Sequence, residues 1–180
     1  MPGDARRGAL LDRDGVLNVR PAPHAYLGDP EEFEWLPGAR EAVARLEAAG
    51  WAVAVVTNQR GLSLGRVSPE AIAAIEERIQ SDLAVLGAAI DGFYTCPHDT
   101  PDGCDCRKPQ PGLLLRACEE LGLDPAGCVM VGDEETDVAA GRSAGCGTVL
   151  VAPGAPDTAA DLVVPDLAAA VDALLGATPR

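Results

Sequence analysis

The sequence of 180 residues predicts an α/β fold: a mostly parallel sheet with helices on both faces. Short apolar runs alternate with helical patterns along the chain, and several of those runs are followed directly by polar residues. No uninterrupted apolar run approaches the length of a membrane span. We expect a single domain over residues 1–180 without a large cap domain, because this alternation fills the gaps between the motifs described below.

The predicted strands are short apolar runs bounded by glycine or polar residues. They cover residues 8–11, 51–56, 92–95, 128–131, 147–151 and, as an edge strand, 161–164.

The predicted helices alternate with these strands, and several end at a glycine. The first covers 39–49 and stops at Gly50. The second begins with Ser68 as its cap and Pro69 in its first turn, and its inward stripe is formed by every third or fourth residue. That stripe comprises Ile72, Ile75, Ile79, Leu83 and Leu86. The remaining helices cover 112–121, 136–144 and 167–175.

The chain is strongly acidic, with a formal net charge of −14. Such a surface repels nucleic-acid phosphates and anionic membranes, so we expect neither as a partner. An anionic small molecule would need local cations at its site. Because the N-terminal residues lack an apolar segment of the signal-peptide type, we predict a cytoplasmic protein, and a monomer is the default for a small enzyme.

Ligands of parallel sheets bind beyond the carboxyl ends of the strands, which draws attention to the polar residues that follow them. These are Asp12, Asp14, Thr57, Asn58, Gln59, Arg107, Lys108 and Asp133. Three carboxylates at one edge repel each other, and Mg²⁺ would relieve that repulsion. A lysine and a hydroxyl would complement phosphate oxygens. Taken alone, the Asp-x-Asp-Gly segment equally fits a polar turn at a strand end.

Three of the six cysteines cluster with a histidine: Cys96, His98, Cys104 and Cys106. Three thiolates and one imidazole form a closed tetrahedral zinc set, which predicts a structural Zn²⁺ in the loop 96–106. A redox-active thiol cluster is the alternative. The other cysteines, at 118, 128 and 146, are expected to be small buried residues.

Four segments in order resemble the motifs of the haloacid dehalogenase-like phosphatases. They are Asp12-Arg13-Asp14-Gly15, Thr57-Asn58-Gln59, Lys108, and Gly132-Asp133 with Asp137. The resemblance implies a Rossmann-like fold. It implies that Asp12 is the nucleophile and that Asp14 is the general acid and base. Thr57 and Lys108 would hold the phosphoryl group.

The same resemblance implies that Mg²⁺ is held by the carboxylates of Asp12 and Asp133 and by the backbone carbonyl of Asp14. Asp137 would orient Lys108 or a metal-bound water. As an acid in the first turn of a helix, it could instead interact only with the helix dipole.

The zinc pattern, together with the segments around residues 24–38 and 108–114, is similar to two related phosphatase families. One acts on D-glycero-D-manno-heptose 1,7-bisphosphate and the other on histidinol phosphate; the two segments favour the first. The implied activity is removal of one phosphate from a sugar bisphosphate. An inactive, zinc-stabilised binding module is the alternative that is not an enzyme, and a nucleic-acid 3′-phosphatase is disfavoured by the charge.

Substrate contacts are expected from several residues near the motifs. They are Arg13, His24, Tyr26, Asn58, Gln59, Arg60 and Arg107. Arg60 could bind a second phosphate or be a solvated loop cation. Glu134 stands where the family often carries a lysine or arginine, a departure that weakens the assignment of substrate but not of chemistry.

Overall fold

The computed structural model describes residues 6–154 and 156–176. Within these ranges, six strands form one sheet in which every pair of neighbouring strands is parallel. The strands are β1 (Gly8–Leu11), β2 (Ala52–Asn58), β3 (Gly92–Cys96), β4 (Cys128–Gly132), β5 (Gly147–Val151) and β6 (Leu162–Val164). Their order across the sheet is β3-β2-β1-β4-β5-β6. The predicted α/β class is therefore confirmed, with β6 at an edge as expected.

Five helices cover the two faces of this sheet: α1 (Ala39–Ala48), α2 (Pro69–Ala84), α3 (Gly112–Leu121), α4 (Glu135–Ala144) and α5 (Leu167–Gly176). Side chains of β1 alternate between the faces. Ala9 and Leu11 belong to the core that includes buried residues of α1, α2 and α5, whereas Leu10 belongs to the core that includes those of α3 and α4. Within the described ranges, no helix is long and apolar enough to span a bilayer.

The second helix begins as predicted but ends earlier. The Ser68 hydroxyl accepts a hydrogen bond from the Ala71 N–H at 3.1 Å, and four predicted stripe residues, from Ile72 to Leu83, are buried. Leu86 is not part of this stripe: it lies beyond the helix end and is 40% exposed. The chain turns there through Gly87, whose φ of +71° ends the helical path.

Strands β2, β3 and β4 extend one or two residues further than predicted. The ladder between β2 and β3 continues through the pairs Thr57–Thr95 and Asn58–Cys96, because backbone pairing is indifferent to polar side chains. The Asp12 N–H also bonds to the Val131 carbonyl at 2.9 Å. These pairings hold the polar residues in register at the carboxyl edge of the sheet.

The three cysteines predicted to be buried are buried. Cys118 and Cys128 approach to 3.7 Å between their sulfur atoms, and Cys146 is 7% exposed. They lie in the core between the sheet and helices α3 and α4. These thiols therefore act as small apolar residues.

Candidate active site and metal centres

Asp12 and Lys108 form a buried ion pair at the end of β1. The Lys108 Nζ lies 2.9 Å from Asp12 Oδ1 and 2.7 Å from Asp137 Oδ1, and it donates to the Val56 carbonyl at 2.9 Å. These three acceptors use all three donors of the ammonium group. A phosphoryl group could therefore contact this ammonium only by sharing or replacing one of them.

Burial raises the pKa of the Asp12 carboxyl to about 7, against the lowering effect of the Lys108 charge. For Lys108, burial by itself would lower the pKa, but the charges of Asp12 and Asp137 outweigh it and the pKa is raised. The ammonium therefore keeps its charge, and that charge favours the ionised form of Asp12.

Asp137 contacts both Lys108 and the first turn of α4. One carboxylate oxygen pairs with Lys108, and the other accepts the Glu134 N–H at 3.1 Å as part of the cap of α4. Gly132 permits this approach, because a β-carbon at that position would overlap the Asp137 side chain. The acid at the first turn of α4 thus orients the lysine and also caps the helix.

A group of three carboxylates could hold a metal ion: Asp12, Asp133 and Asp137 each offer an oxygen within 4.8 Å of the others. Asp12 and Asp133 belong to the predicted magnesium set. The Asp14 carboxylate is not in this group among the residues the structure describes, and its predicted part was its backbone carbonyl. Carboxylate oxygens are the donors that Mg²⁺ prefers, so the donor set fits that ion.

The Asp14 carboxylate points into a set of donors instead. Arg13 donates to both of its oxygens at 3.1 Å, and Asn18 and Gln59 each donate at 2.9 Å. Arg13 was predicted to contact substrate, but it is only 2% exposed and lies outside the lining of the cavity described below. Its guanidinium is directed at the adjacent carboxylate, so that prediction is corrected: Arg13 orients Asp14.

The Thr57-Asn58-Gln59 segment connects the site to the loop that carries Lys108. Gln59 donates to Thr57 Oγ1 as well as to Asp14, both at 2.9 Å. The Asn58 amide donates to the Lys108 carbonyl at 3.0 Å and accepts its N–H at 3.1 Å. These two amides line the cavity, and their hydrogen bonds position the neighbouring catalytic candidates.

A cavity of about 420 Å³ opens above this edge of the sheet. Its lining includes all predicted substrate contacts except Arg13: His24, Tyr26, Asn58, Gln59, Arg60 and Arg107. Arg60 donates to the Tyr26 hydroxyl at 3.1 Å, and Arg107 donates to the His98 carbonyl at 3.0 Å. The segment after β1 and the loop after β3 thus form parts of one cavity wall.

Arg20 and Asn18 were missed by sequence reasoning. Arg20 donates to both oxygens of Asp133, at 2.6 and 3.1 Å, and also pairs with Glu134. Burial raises the pKa of Asp133 although Arg20 lowers it, whereas for the more exposed Glu134 the effect of Arg20 outweighs burial and lowers the pKa. Arg20 belongs to none of the motifs described above. The sequence indicated only that position 134 holds an acid where the family often carries a cation, which could have prompted a search for a partner of Glu134.

The predicted zinc ligands converge. Cys96 Sγ lies 3.8 Å from Cys104 Sγ, 3.3 Å from Cys106 Sγ and 3.6 Å from His98 Nδ1. Around a tetrahedral Zn²⁺, ligand atoms are about 3.5 to 3.8 Å apart. Sulfur atoms joined by a disulfide would lie about 2.05 Å apart. The Cys96–Cys104 and Cys96–His98 distances match a tetrahedral metal set, and the Cys96–Cys106 pair is somewhat closer. The cluster is linked to the carboxyl edge of the sheet, because the Gln59 N–H bonds to the Cys96 carbonyl at 2.8 Å.

Comparison with known proteins places this geometry in a family. A model of the HAD-hydrolase-like family matches residues 105–172. The chain is 40% identical over 162 residues to the D-glycero-beta-D-manno-heptose-1,7-bisphosphate 7-phosphatase of Vibrio cholerae, which covers 86% of each chain. It is also 40% identical over 173 residues to the enzyme of that name from Escherichia coli, which covers 88% of each.

Comparison with solved structures indicates the same family. The crystal structure of D,D-heptose 1,7-bisphosphate phosphatase from B. bronchiseptica, complexed with magnesium and phosphate, superposes with a TM-score of 0.86 at 36% identity, over 96% of this chain and 99% of that one. The enzyme from Burkholderia thailandensis gives a TM-score of 0.69 at 30% identity, over 94% and 99%. The chain belongs to the HAD-like hydrolases, in the family of the D-glycero-beta-D-manno-heptose-1,7-bisphosphate 7-phosphatases.

Proposed function

We propose that this chain is a Mg²⁺-dependent phosphatase that removes the phosphate at carbon 7 of D-glycero-D-manno-heptose 1,7-bisphosphate. One observation carries the proposal: buried Asp12, Lys108 and Asp137 and the partly exposed Asp133 lie together at the carboxyl edge of the sheet. Identity of about 40% to enzymes of that name supports the choice of substrate.

The metal would be held by the carboxylates of Asp12 and Asp133 and by the backbone carbonyl of Asp14. When bound, Mg²⁺ offsets the negative charge of the carboxylates and of the phosphoryl oxygens. Lys108 contributes a fixed positive charge beside Asp12, and the Thr57 hydroxyl contributes a hydrogen bond to the transferring group.

In the first step, an Asp12 oxygen bonds to phosphorus while the bond from phosphorus to the sugar oxygen breaks. Asp14 donates its proton to that oxygen, and an aspartyl-phosphate remains. In the second step, Asp14 takes a proton from water, whose oxygen bonds to phosphorus while the bond to Asp12 breaks. Inorganic phosphate leaves and both aspartates return to their starting states.

Proton transfer requires Asp14 to exchange one of its donors for the sugar oxygen. Gln59 is the donor that is both uncharged and part of the cavity lining. Its bond to Asp14 is therefore the one that we expect to open, while Arg13 and Asn18 keep the carboxylate in place.

The second metal would be a structural Zn²⁺ held by Cys96, His98, Cys104 and Cys106. The Arg107 guanidinium bonds to the His98 carbonyl, and Lys108 follows Arg107 directly. Zinc would thus stabilise the loop that delivers both cations, in a segment with little apolar core of its own.

Parallel assays with two compounds test which substrate the chain accepts. Phosphate release is measured with Mg²⁺ from heptose 1,7-bisphosphate and from histidinol phosphate, and the retained phosphate is located by phosphorus NMR. The expected product is heptose 1-phosphate. Faster release from histidinol phosphate would contradict the proposal in favour of the alternative family. Release from neither compound would favour the inactive binding module.

The covalent step is tested with Asp12→Asn, which should abolish turnover and the acid-stable mass increase of one phosphoryl group. Asp166→Asn is the matched control, because that aspartate caps α5 at 2.8 Å and lies outside the cavity. Activity of Asp12→Asn near that of the wild type would exclude the aspartyl-phosphate route.

We also propose a monomer in the cytoplasm with no nucleic-acid or membrane partner. The net charge of −14 supports the absence of anionic partners. Sedimentation equilibrium of the purified chain checks the oligomeric state, and a dimer would refute it.

A further inference from the structure

Arg20 connects the segment after β1 to the start of α4, 113 residues further along the chain. Its backbone is anchored nearby, because the Val19 N–H bonds to the Glu34 carbonyl at 2.9 Å. Its side chain is 44% exposed and lines the same cavity as Asp12 and Lys108. Arg20 is thus a fixed cation at the solvent side of the site.

The Arg20 guanidinium has more N–H donors than contacts, whereas the Lys108 ammonium uses all three of its donors. Nε, Nη1 and Nη2 each make one contact, to Asp133 or Glu134. A guanidinium carries five N–H groups, so one on Nη1 and one on Nη2 remain without a partner among the residues that the structure describes. Two such N–H groups suit the paired oxygens of a phosphate.

Glu134 gives Arg20 an anchor outside the group of three carboxylates. A divalent ion on Asp133 would weaken the attraction between that carboxylate and Arg20. Glu134 would then remain as the counter-ion that keeps the guanidinium at the cavity. Position 134, where the family often carries a lysine or arginine, holds a glutamate in this chain. By pairing with Glu134, Arg20 brings a cation to that place.

We propose that Arg20, held by Glu134, binds the phosphate that stays on the sugar. This inference rests on the proposed function. Depth separates the two phosphate positions: the transferred group must reach buried Asp12 and Lys108, whereas Arg20 is half exposed at the cavity wall. The phosphate that is not transferred therefore lies nearer to solvent, within reach of Arg20.

The test compares two compounds that differ only in the retained phosphate: heptose 1,7-bisphosphate and heptose 7-phosphate. Arg20→Ala should raise the KM for the bisphosphate by about 10- to 100-fold, as expected for a lost charge-assisted contact. Because Arg20 also pairs with Asp133, a change common to the two compounds is divided out by taking the ratio of their KM values, and that ratio is the readout. Arg45→Ala is the matched control, since it removes an arginine of 48% exposure whose partner is Asp172.

Two further measurements do not depend on turnover or on a single variant. Calorimetry of the Mg²⁺-loaded protein should show heptose 1-phosphate binding about 10-fold more weakly to Arg20→Ala than to Arg45→Ala. The charge swap Arg20→Glu with Glu134→Arg should recover most of the binding that Arg20→Glu loses, because a cation then projects from position 134.

Equal KM changes for the two compounds, or unchanged binding of heptose 1-phosphate, would overturn the role of Arg20. Failure of the proposed function looks different: the wild-type protein would release no phosphate from the bisphosphate.

Discussion

Replacing Lys108 by methionine should destabilise the protein strongly, apart from its effect on catalysis. Lys108 is 3% exposed, and its ammonium lies between two carboxylates at 2.9 and 2.7 Å. Methionine fills similar volume but leaves Asp12 and Asp137 buried without their counter-ion. Removing one partner from a buried ion pair costs about 3 to 5 kcal/mol of unfolding free energy.

The cost should depend on pH, because protonation can relieve the stranded charges. The pKa of Asp12 is already raised from 3.8 to about 7 with Lys108 present, and loss of Lys108 raises it further. A raised folded-state pKa means that the folded state binds more protons, so stability falls as pH rises through this range. We expect a loss of about 3 kcal/mol or more at pH 8 and a clearly smaller one at pH 5.5.

Urea unfolding of both proteins in Mg²⁺-free buffer at the two pH values measures this loss. Arg45→Met is the control, since its surface ion pair at 2.7 Å should contribute less than about 1 kcal/mol. In a double-mutant cycle, Asp137→Asn should cost less in the Lys108→Met background than alone, with a coupling of about 1 to 3 kcal/mol. A Lys108→Met loss within about 0.5 kcal/mol of the control at pH 8 would refute the reasoning.

Two further predictions concern the metal loop and the floor of the site. Cys104→Ser should lower zinc content by elemental analysis and reduce phosphate release, because the loop positions Lys108; Cys146→Ala, outside the cluster, should retain zinc, and full zinc in Cys104→Ser would contradict the ligand set. Gly132→Ala should displace Asp137 and cost about 1 to 3 kcal/mol in urea unfolding, whereas Gly127→Ala, with nothing within 4 Å of its β-carbon, should be nearly neutral. Equal stability of the two alanine variants would show that a β-carbon fits beside Asp137 at position 132.

Much of the fold was predictable because its signals are local. Parallel strands buried on both faces appear as apolar runs, and the helices between them appear as periodic patterns that end at Gly50, Gly122 and Gly145. The element limits were less predictable. Strands β2 and β3 continue through Thr57 and Cys96 because backbone pairing is set by the neighbouring strand, which a local pattern does not report.

The convergence of the four proposed zinc ligands was predictable for a related reason. These ligands lie within eleven consecutive residues, so their spacing alone limits how far apart they can be. Asp12 and Lys108 are distant in sequence, yet the strand-end rule and the motif order brought them together correctly.

The sequence by itself determined the fold class, the chemistry available at the sheet edge and the residues that could hold each metal. Tertiary structure decided how the side chains divide the work. Arg13 faces Asp14 rather than the cavity, Asp137 contacts both Lys108 and the start of its helix, and Arg20 pairs with Glu134. Residue type and order set what a group can do, whereas side-chain direction and contacts across 113 residues depend on packing that no local pattern encodes.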